Sequence, residues 1–346
     1  MKKLSLVLFI LAVARLIASR YPVGMFDEPG LGTYRSDELI FLKTYYLVEK
    51  GWNYYPAFSW AIEGDVRRIV LTSDIFQWRL PTLFYLWKVL ANNGWQILWL
   101  FWVLALSSMA AIFLLMKKLA NARVGVVVIL LLIPYFADAF QYQSSFLFTE
   151  WWGWFPFMVA LAALAYDKKL MAYSLFLMAV TIRELFIIPI ICFFLIALLQ
   201  KKNRLGFLTV MLLFGVFIWL HRVTVVHYMQ GVEVTQATLW TRLHGFDKKS
   251  LMPMVAFMMR RYPLIQYKSN WLLLGLAGLS LRKINSKTEY LFAAGWSLFL
   301  VLPFISTSAY NDYWGILFMP TLLITIPLLG LPTLQKMLRR LSSGRW

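Results

Sequence analysis

A single cysteine, Cys192, stands in 346 residues, so neither an internal disulfide nor a cysteine metal cluster is available. It lies inside an apolar run and reads as a packing residue. Charge is scarce as well: Asp, Glu, Lys and Arg make up 14% of the chain, and the 16 acids face 34 bases. No His-Glu-x-x-His pair, phosphate-binding glycine loop or nucleophile elbow occurs, which removes the sequence signatures of zinc peptidases, P-loop nucleotidases and α/β-hydrolases. No fixed-period repeat or low-complexity linker divides the chain, and residues 1–346 read as one domain with no separate soluble part.

Apolar residues fill 61% of the chain, more than a soluble core of this length can bury. The expected class is therefore an all-α, polytopic membrane protein. A helix needs about 20 apolar residues to cross a bilayer, and cytoplasmic loops collect Lys and Arg. Apolar runs fall at 4–19, 95–116, 123–140, 150–166, 170–182, 185–200, 205–226, 270–281, 288–306 and 313–335, the fifth and eighth too short to cross unaided. The first, "MKKLSLVLFILAVARLIAS", starts like a secretory leader, but no small-residue cleavage site follows it, so it reads as a retained helix.

About ten crossings place every basic cluster on the cytoplasmic side, together with both termini. The clusters are "KK" at 2, "KK" at 117 with Arg123, "KK" at 168, "KKNR" at 201, "RKINSK" at 282 and "KMLRR" at 336. The acids play no part in building that arrangement, yet they follow it. Only Asp167 and Glu289 fall inside, and the other fourteen of the sixteen fall outside or at outer span ends. Orientation thus accounts for the net charge of +18, and no nucleic-acid partner is implied. Polar chemistry is expected on the face of the inner (plasma) membrane that looks to the periplasm or exterior.

Two external loops interrupt the spans, residues 20–94 and 227–269, both too aromatic for disordered linkers. In the first, Ser36 can cap a helix from Asp37 to Lys50 that Gly51 ends. Its stripe of Leu39, Leu42, Tyr46 and Leu47 suits a helix lying along the membrane interface. Asp37 and Glu38 occupy its first turn, either complementing the helix dipole or serving a site. "QWRLPTLFYLWKVL", 77–90, is a second two-faced stretch, where Arg79 ahead of Pro81 either holds an anion at the helix start or snorkels to the headgroups.

Glu150, in "QYQSSFLFTEWWGWFPF", is a costly carboxylate at the outer end of a span, and is either a site residue or half of an ion pair with Arg183. Trp151, Trp152 and Trp154 beside it read as interface anchors. The stretch between Lys169 and Lys201 is too short for two full crossings, so it should form a short hairpin turning at Arg183 and Glu184.

Taken in order, "SDELIFLKTYYLVEKGWNYYPAF", "RLPTLFYLWKVL", "FLFTEWWGWFPFMVALAALA", "AVTIRELFIIPIICFFLIALL" and "NDYWGILFMPTLLI" resemble the GT-C superfamily of polyprenyl-phosphate-sugar-dependent glycosyltransferases. That superfamily includes protein O-mannosyltransferases and lipid A aminoarabinose transferases. The resemblance covers most of the chain by the order of its motifs. It implies an external site under the first loop, an inverting transfer, and a polyprenyl-phosphate sugar as donor. Asp37 and Glu38 match the first-loop acidic pair, Arg79 the basic residue ahead of the proline turn, Glu150 the second acidic site, and Tyr313 the tyrosine of the last motif. Many relatives carry an arginine near that tyrosine, whereas Asn311 and Asp312 stand here.

The chemistry so implied needs a lateral lipid entrance, a cationic clamp for the departing phosphate and a carboxylate to take the proton of a glycan, lipid or protein hydroxyl. Asp37 offers the base, with Glu38 or Glu150 in support. Arg79, Arg183, Arg242, His244, Arg260 and Arg261 offer cations. If a divalent ion takes part, Asp37 or Glu38 with Glu150 supplies the hard oxygens that Mg2+ or Mn2+ prefers. A lipid-linked oligosaccharide polymerase and a non-catalytic lipid or glycan transporter are the alternatives. The asymmetric long first loop favours the transferase over the symmetric halves of many transporters.

Overall fold

The computed structural model describes residues 37–62, 78–141, 145–228, 251, 254–255, 267–305 and 312–330. The described residues are overwhelmingly helical, with no strand among them. The expected first span at 4–19 lies outside them, as does almost all of the second external loop.

Helix α1 (Asp37–Glu49) and helix α2 (Tyr54–Ala61) form a tight pair. Gly51, at φ +97°, ends α1: the amide of Trp52 reaches back to Leu47 O at 3.0 Å, a closure that L side chains resist. The interfacial stripe expected of α1 is not what forms. Leu39 is exposed, but Ile40 to Tyr45, Leu47 and Val48 are buried on nearly every side. The reason is tertiary, because α2, helix α3 (Thr82–Leu90) and the turn Ser145–Leu147 all pack around it. Helix α3 keeps its two faces, burying Leu83, Phe84 and Trp87 while Tyr85, Val89 and Leu90 stay exposed.

Helix α4 (Gly94–Leu119) starts at Asn93, whose side chain accepts the Gln96 amide at 2.9 Å, and packs against α5 (Ala122–Gln141) and α6 (Thr149–Ala165). Helix α6 is the centre of the molecule, buried from Thr149 to Met158 and from Ala160 to Leu164. Trp151, Trp152 and Trp154 are therefore core residues and not interface anchors, each at most 1% exposed. Indoles leave the headgroup region when their one donor is met inside. Trp152 Nε1 donates to Phe146 O at 2.7 Å and Trp154 Nε1 to Thr321 Oγ1 at 3.0 Å.

The short hairpin forms as its length requires. Helices α7 (Lys169–Ile182) and α8 (Ile187–Gln200) are 14 residues each, joined through Arg183 and the 3-10 turn Glu184–Phe186. At 1.5 Å per residue each is about 21 Å long, short of a hydrocarbon core of about 30 Å. Helix α9 (Arg204–Tyr228) follows, then α10 (Tyr267–Ser280), α11 (Glu289–Ile305) and α12 (Gly315–Thr325). Gln200 at the end of α8 donates to Glu289 at the start of α11, close to the basic clusters at 201 and 282.

Among the described residues two helices, α4 and α9, are long and apolar enough to cross a membrane, and five shorter apolar helices accompany them. Helix α9 buries only Phe207, Val210, Phe214, His221 and Val225, while Leu212, Val216, Trp219, Leu220 and Val223 are each more than half exposed. A helix in water turns that face inward. Trp99, Val103 and Leu106 of α4 face outward in the same way.

Candidate functional site

Arg79 is placed by its backbone before its side chain. It lies in the turn ahead of Pro81 at the start of α3, and the fully buried Tyr54 of α2 donates its hydroxyl to the Arg79 carbonyl. The Tyr54 amide in turn donates to the Tyr85 hydroxyl at 3.3 Å, so α2 and α3 grip the turn from both sides. The Arg79 side chain is 9% exposed, which sets the snorkelling alternative aside. Its Nη2 donates to the Tyr313 hydroxyl at 3.1 Å and stands 3.7 Å from Asp37 Oδ2, with the Phe41 ring 5.7 Å away. At that distance the Asp37 contact is between charges, not a hydrogen bond. Nε of Arg79 is buried with no hydrogen-bond partner.

A second guanidinium sits in the hairpin turn. Arg183 is 1% exposed, and its Nε lies 2.8 Å from Oε1 of Glu150, itself 1% exposed. That contact is close but poorly aligned for a hydrogen bond, so it acts as an ion pair. Arg183 Nη1 donates to Glu184 Oε1 at 2.6 Å. The Thr149 hydroxyl donates to Glu150 Oε2 at 3.3 Å. Gly153 makes the arrangement possible: a Cβ there would stand 2.9 Å from Arg183 Cβ and 2.8 Å from the Phe186 ring.

The two halves meet at the 3-10 turn Asp312–Trp314 that leads into α12. Tyr313 touches Arg79, and its ring stacks on Phe148 at 4.9 Å and 4°; Trp314 lies 5.8 Å from the Arg183 guanidinium. Burial pulls the Arg79 pKa down, but Tyr313, Glu150, Asp37 and Glu184 together outweigh it and hold the pKa above its ordinary value. Arg79 is thus a permanent cation in a nearly dry setting.

Of the residues singled out from the sequence, Asp37, Arg79, Glu150, Arg183 and Tyr313 come together here. Glu38 lies on α1 with its side chain outside the described residues, and Arg242, His244, Arg260 and Arg261 also lie outside them. Of the three carboxylates offered to Mg2+ or Mn2+, Asp37 and Glu150 each face a guanidinium. Among the described residues no group of three or more His, Cys, Asp or Glu side chains could hold a metal ion. At both carboxylates a guanidinium competes with a metal ion for the oxygens.

Sequence reasoning did not assign Tyr54, Phe148 or Thr149 to the site, and gave Glu184 only as a turn residue. For Glu184 there was a signal, since it adjoins a charged residue in a hairpin that must bury both. No protein-family model matches the chain, and no curated protein or solved structure does.

Proposed function

We propose that the chain is a multi-pass membrane glycosyltransferase that moves a sugar from a polyprenyl-phosphate donor to a hydroxyl acceptor at the external membrane face. The observation that carries this reading is Asp37, 21% exposed, beside a buried Arg79 guanidinium with an unused Nε–H. A proton acceptor next to an anion clamp is the pair that glycosyl transfer from a phosphate requires. The acceptor hydroxyl gives its proton to the Asp37 carboxylate while its oxygen bonds the anomeric carbon. The bond from that carbon to the phosphate oxygen breaks, and the electron pair leaves with the lipid phosphate, whose charge Arg79 neutralises. Inversion at the anomeric carbon follows from attack opposite the leaving group. Tyr313 keeps the guanidinium in place, and Glu150, engaged through both oxygens, anchors Arg183. No step uses a metal ion.

The lipid-facing surfaces of α4 and α9 support the membrane setting, and the placement of charge supports the ten-span topology. In a Cys192→Ser background, a cysteine introduced at Asn53 should react with an impermeant thiol reagent added outside, and one at Lys202 should not. Labelling of Lys202→Cys from outside would overturn the topology.

The direct test of the activity incubates purified, reconstituted protein with a panel of polyprenyl-phosphate sugars and reads transfer by mass spectrometry. Arg79→Ala should weaken donor binding more than Arg79→Lys, since Lys keeps the charge but loses the planar fork. With one charged hydrogen bond at stake, the alanine variant should bind about 10-fold to 100-fold more weakly. Unchanged donor affinity in Arg79→Ala would remove the clamp from the scheme.

A further inference from the structure

The hairpin turn holds a donor and an acceptor that nothing in the scheme above uses. Arg183 Nη2 is buried, in a side chain 1% exposed, and has no hydrogen-bond partner. The guanidinium is planar with five N–H bonds in fixed directions. With Nε turned to Glu150 and Nη1 to Glu184, the N–H bonds of Nη2 leave from the tip of the fork, between the edges that face the two carboxylates. The acceptor is Glu184 Oε2. Only Oε1 of this carboxylate is engaged by Arg183, and the side chain is 13% exposed where Glu150 is 1%, so the Glu184 side is where the triad opens. The charge of Glu184 is felt at Tyr54, Arg79 and His221, so it lies in the neighbourhood of the Arg79 clamp.

An oxyanion is a poor match for this spot. Two carboxylates already share the one guanidinium, and a third anion would meet their repulsion. An apolar group would leave both polar atoms unmet, at full desolvation cost. A hydroxyl answers both at once, because it is a donor and an acceptor in a single atom.

We infer that Arg183 and Glu184 form a subsite for an uncharged sugar hydroxyl, with the ligand oxygen accepting from Arg183 Nη2 and its proton donated to Glu184 Oε2. The sugar ring is held by its hydroxyls here, and the phosphate is held separately by Arg79. Glu150 is the counter-ion that fixes the guanidinium in register. The placement of this subsite next to a phosphate clamp rests on the transferase reading, but the subsite itself rests on the triad alone.

The experiment uses the full chain in nanodiscs, since sugar-headed detergents would compete, and titrates two probes by calorimetry. One probe is a set of neutral methyl glycosides at millimolar concentration, and the other is farnesyl phosphate. Glu184→Gln keeps the shape but returns an amide to the open edge, and should weaken the glycosides about tenfold or more while leaving farnesyl phosphate unchanged. Glu184→Asp keeps the charge but draws the carboxylate back by one methylene, and should weaken them too. Arg79→Ala should do the reverse of both.

Glycosides that bind Glu184→Gln as tightly as wild type would overturn the inference. So would wild type that binds none of them, which would leave a trapped water as the partner of Arg183. The two readings fail separately. Glycoside binding that depends on Glu184 without any detectable transfer sinks the transferase and keeps the subsite, whereas transfer with glycoside binding indifferent to Glu184 does the opposite.

Discussion

Asp37→Asn should lose roughly 10²- to 10⁴-fold in turnover, the usual worth of a general base, while donor affinity and thermal unfolding stay near wild type. The amide has the size of the carboxylate and can still face Arg79, so packing at the start of α1 survives. What it cannot do is take the proton of the acceptor hydroxyl. Side chains at adjacent helical positions point about 100° apart, so Asp37 and Glu38 cannot both face the same atom. Glu38→Gln, measured in parallel, should therefore retain most of the activity. Near-normal turnover in Asp37→Asn would show a residue that serves only the helix dipole and the Arg79 charge, and would move the base elsewhere among the site's carboxylates.

The largest loss of stability should come from Arg183→Met. The thioether chain fills much of the same volume and keeps the Cβ that packs against Gly153, but it strands Glu150, at 1% exposure, beside Glu184 with no cation between them. Removing one partner of a buried ion pair costs roughly 3–5 kcal/mol, because the remaining charge stays desolvated. Glu150→Gln should be milder, losing about 1.5–3 kcal/mol, since the amide oxygen still faces Nε and Glu184 still balances the guanidinium. Denaturant unfolding of the two variants in the same lipid mixture measures the difference. Equal destabilisation would mean that the charge on Arg183 contributes nothing beyond its packing.

Local periodicity and length were enough for much of the helical framework. The first-loop helix stops ahead of Gly51 because a residue free to adopt positive φ is a local requirement. The hairpin turning at Arg183 was legible for a simpler reason: no chain that short can form two full crossings. The pairing of Glu150 with Arg183 could be named as one of two possibilities, since few cations were close enough in sequence to meet so buried an acid.

Burial itself was a different matter. Trp151, Trp152 and Trp154 could be anchors or core on composition alone, because lipid and protein interior are equally apolar to a hydropathy scale. Only the indole partners decide for the core: Phe146 O, presented by the turn just ahead of α6, and Thr321 Oγ1, brought in by α12 from a distant part of the chain. The same holds for α1, where the expected stripe does not form because α2 and α3 fold over the side that it left open. The meeting of Asp37, Arg79 and Tyr313 spans almost the whole chain and is decided by tertiary packing. Residues so far apart leave no periodic trace, and what joins them is the closure of α12 against α6, with Phe148 stacked on Tyr313 at the seam.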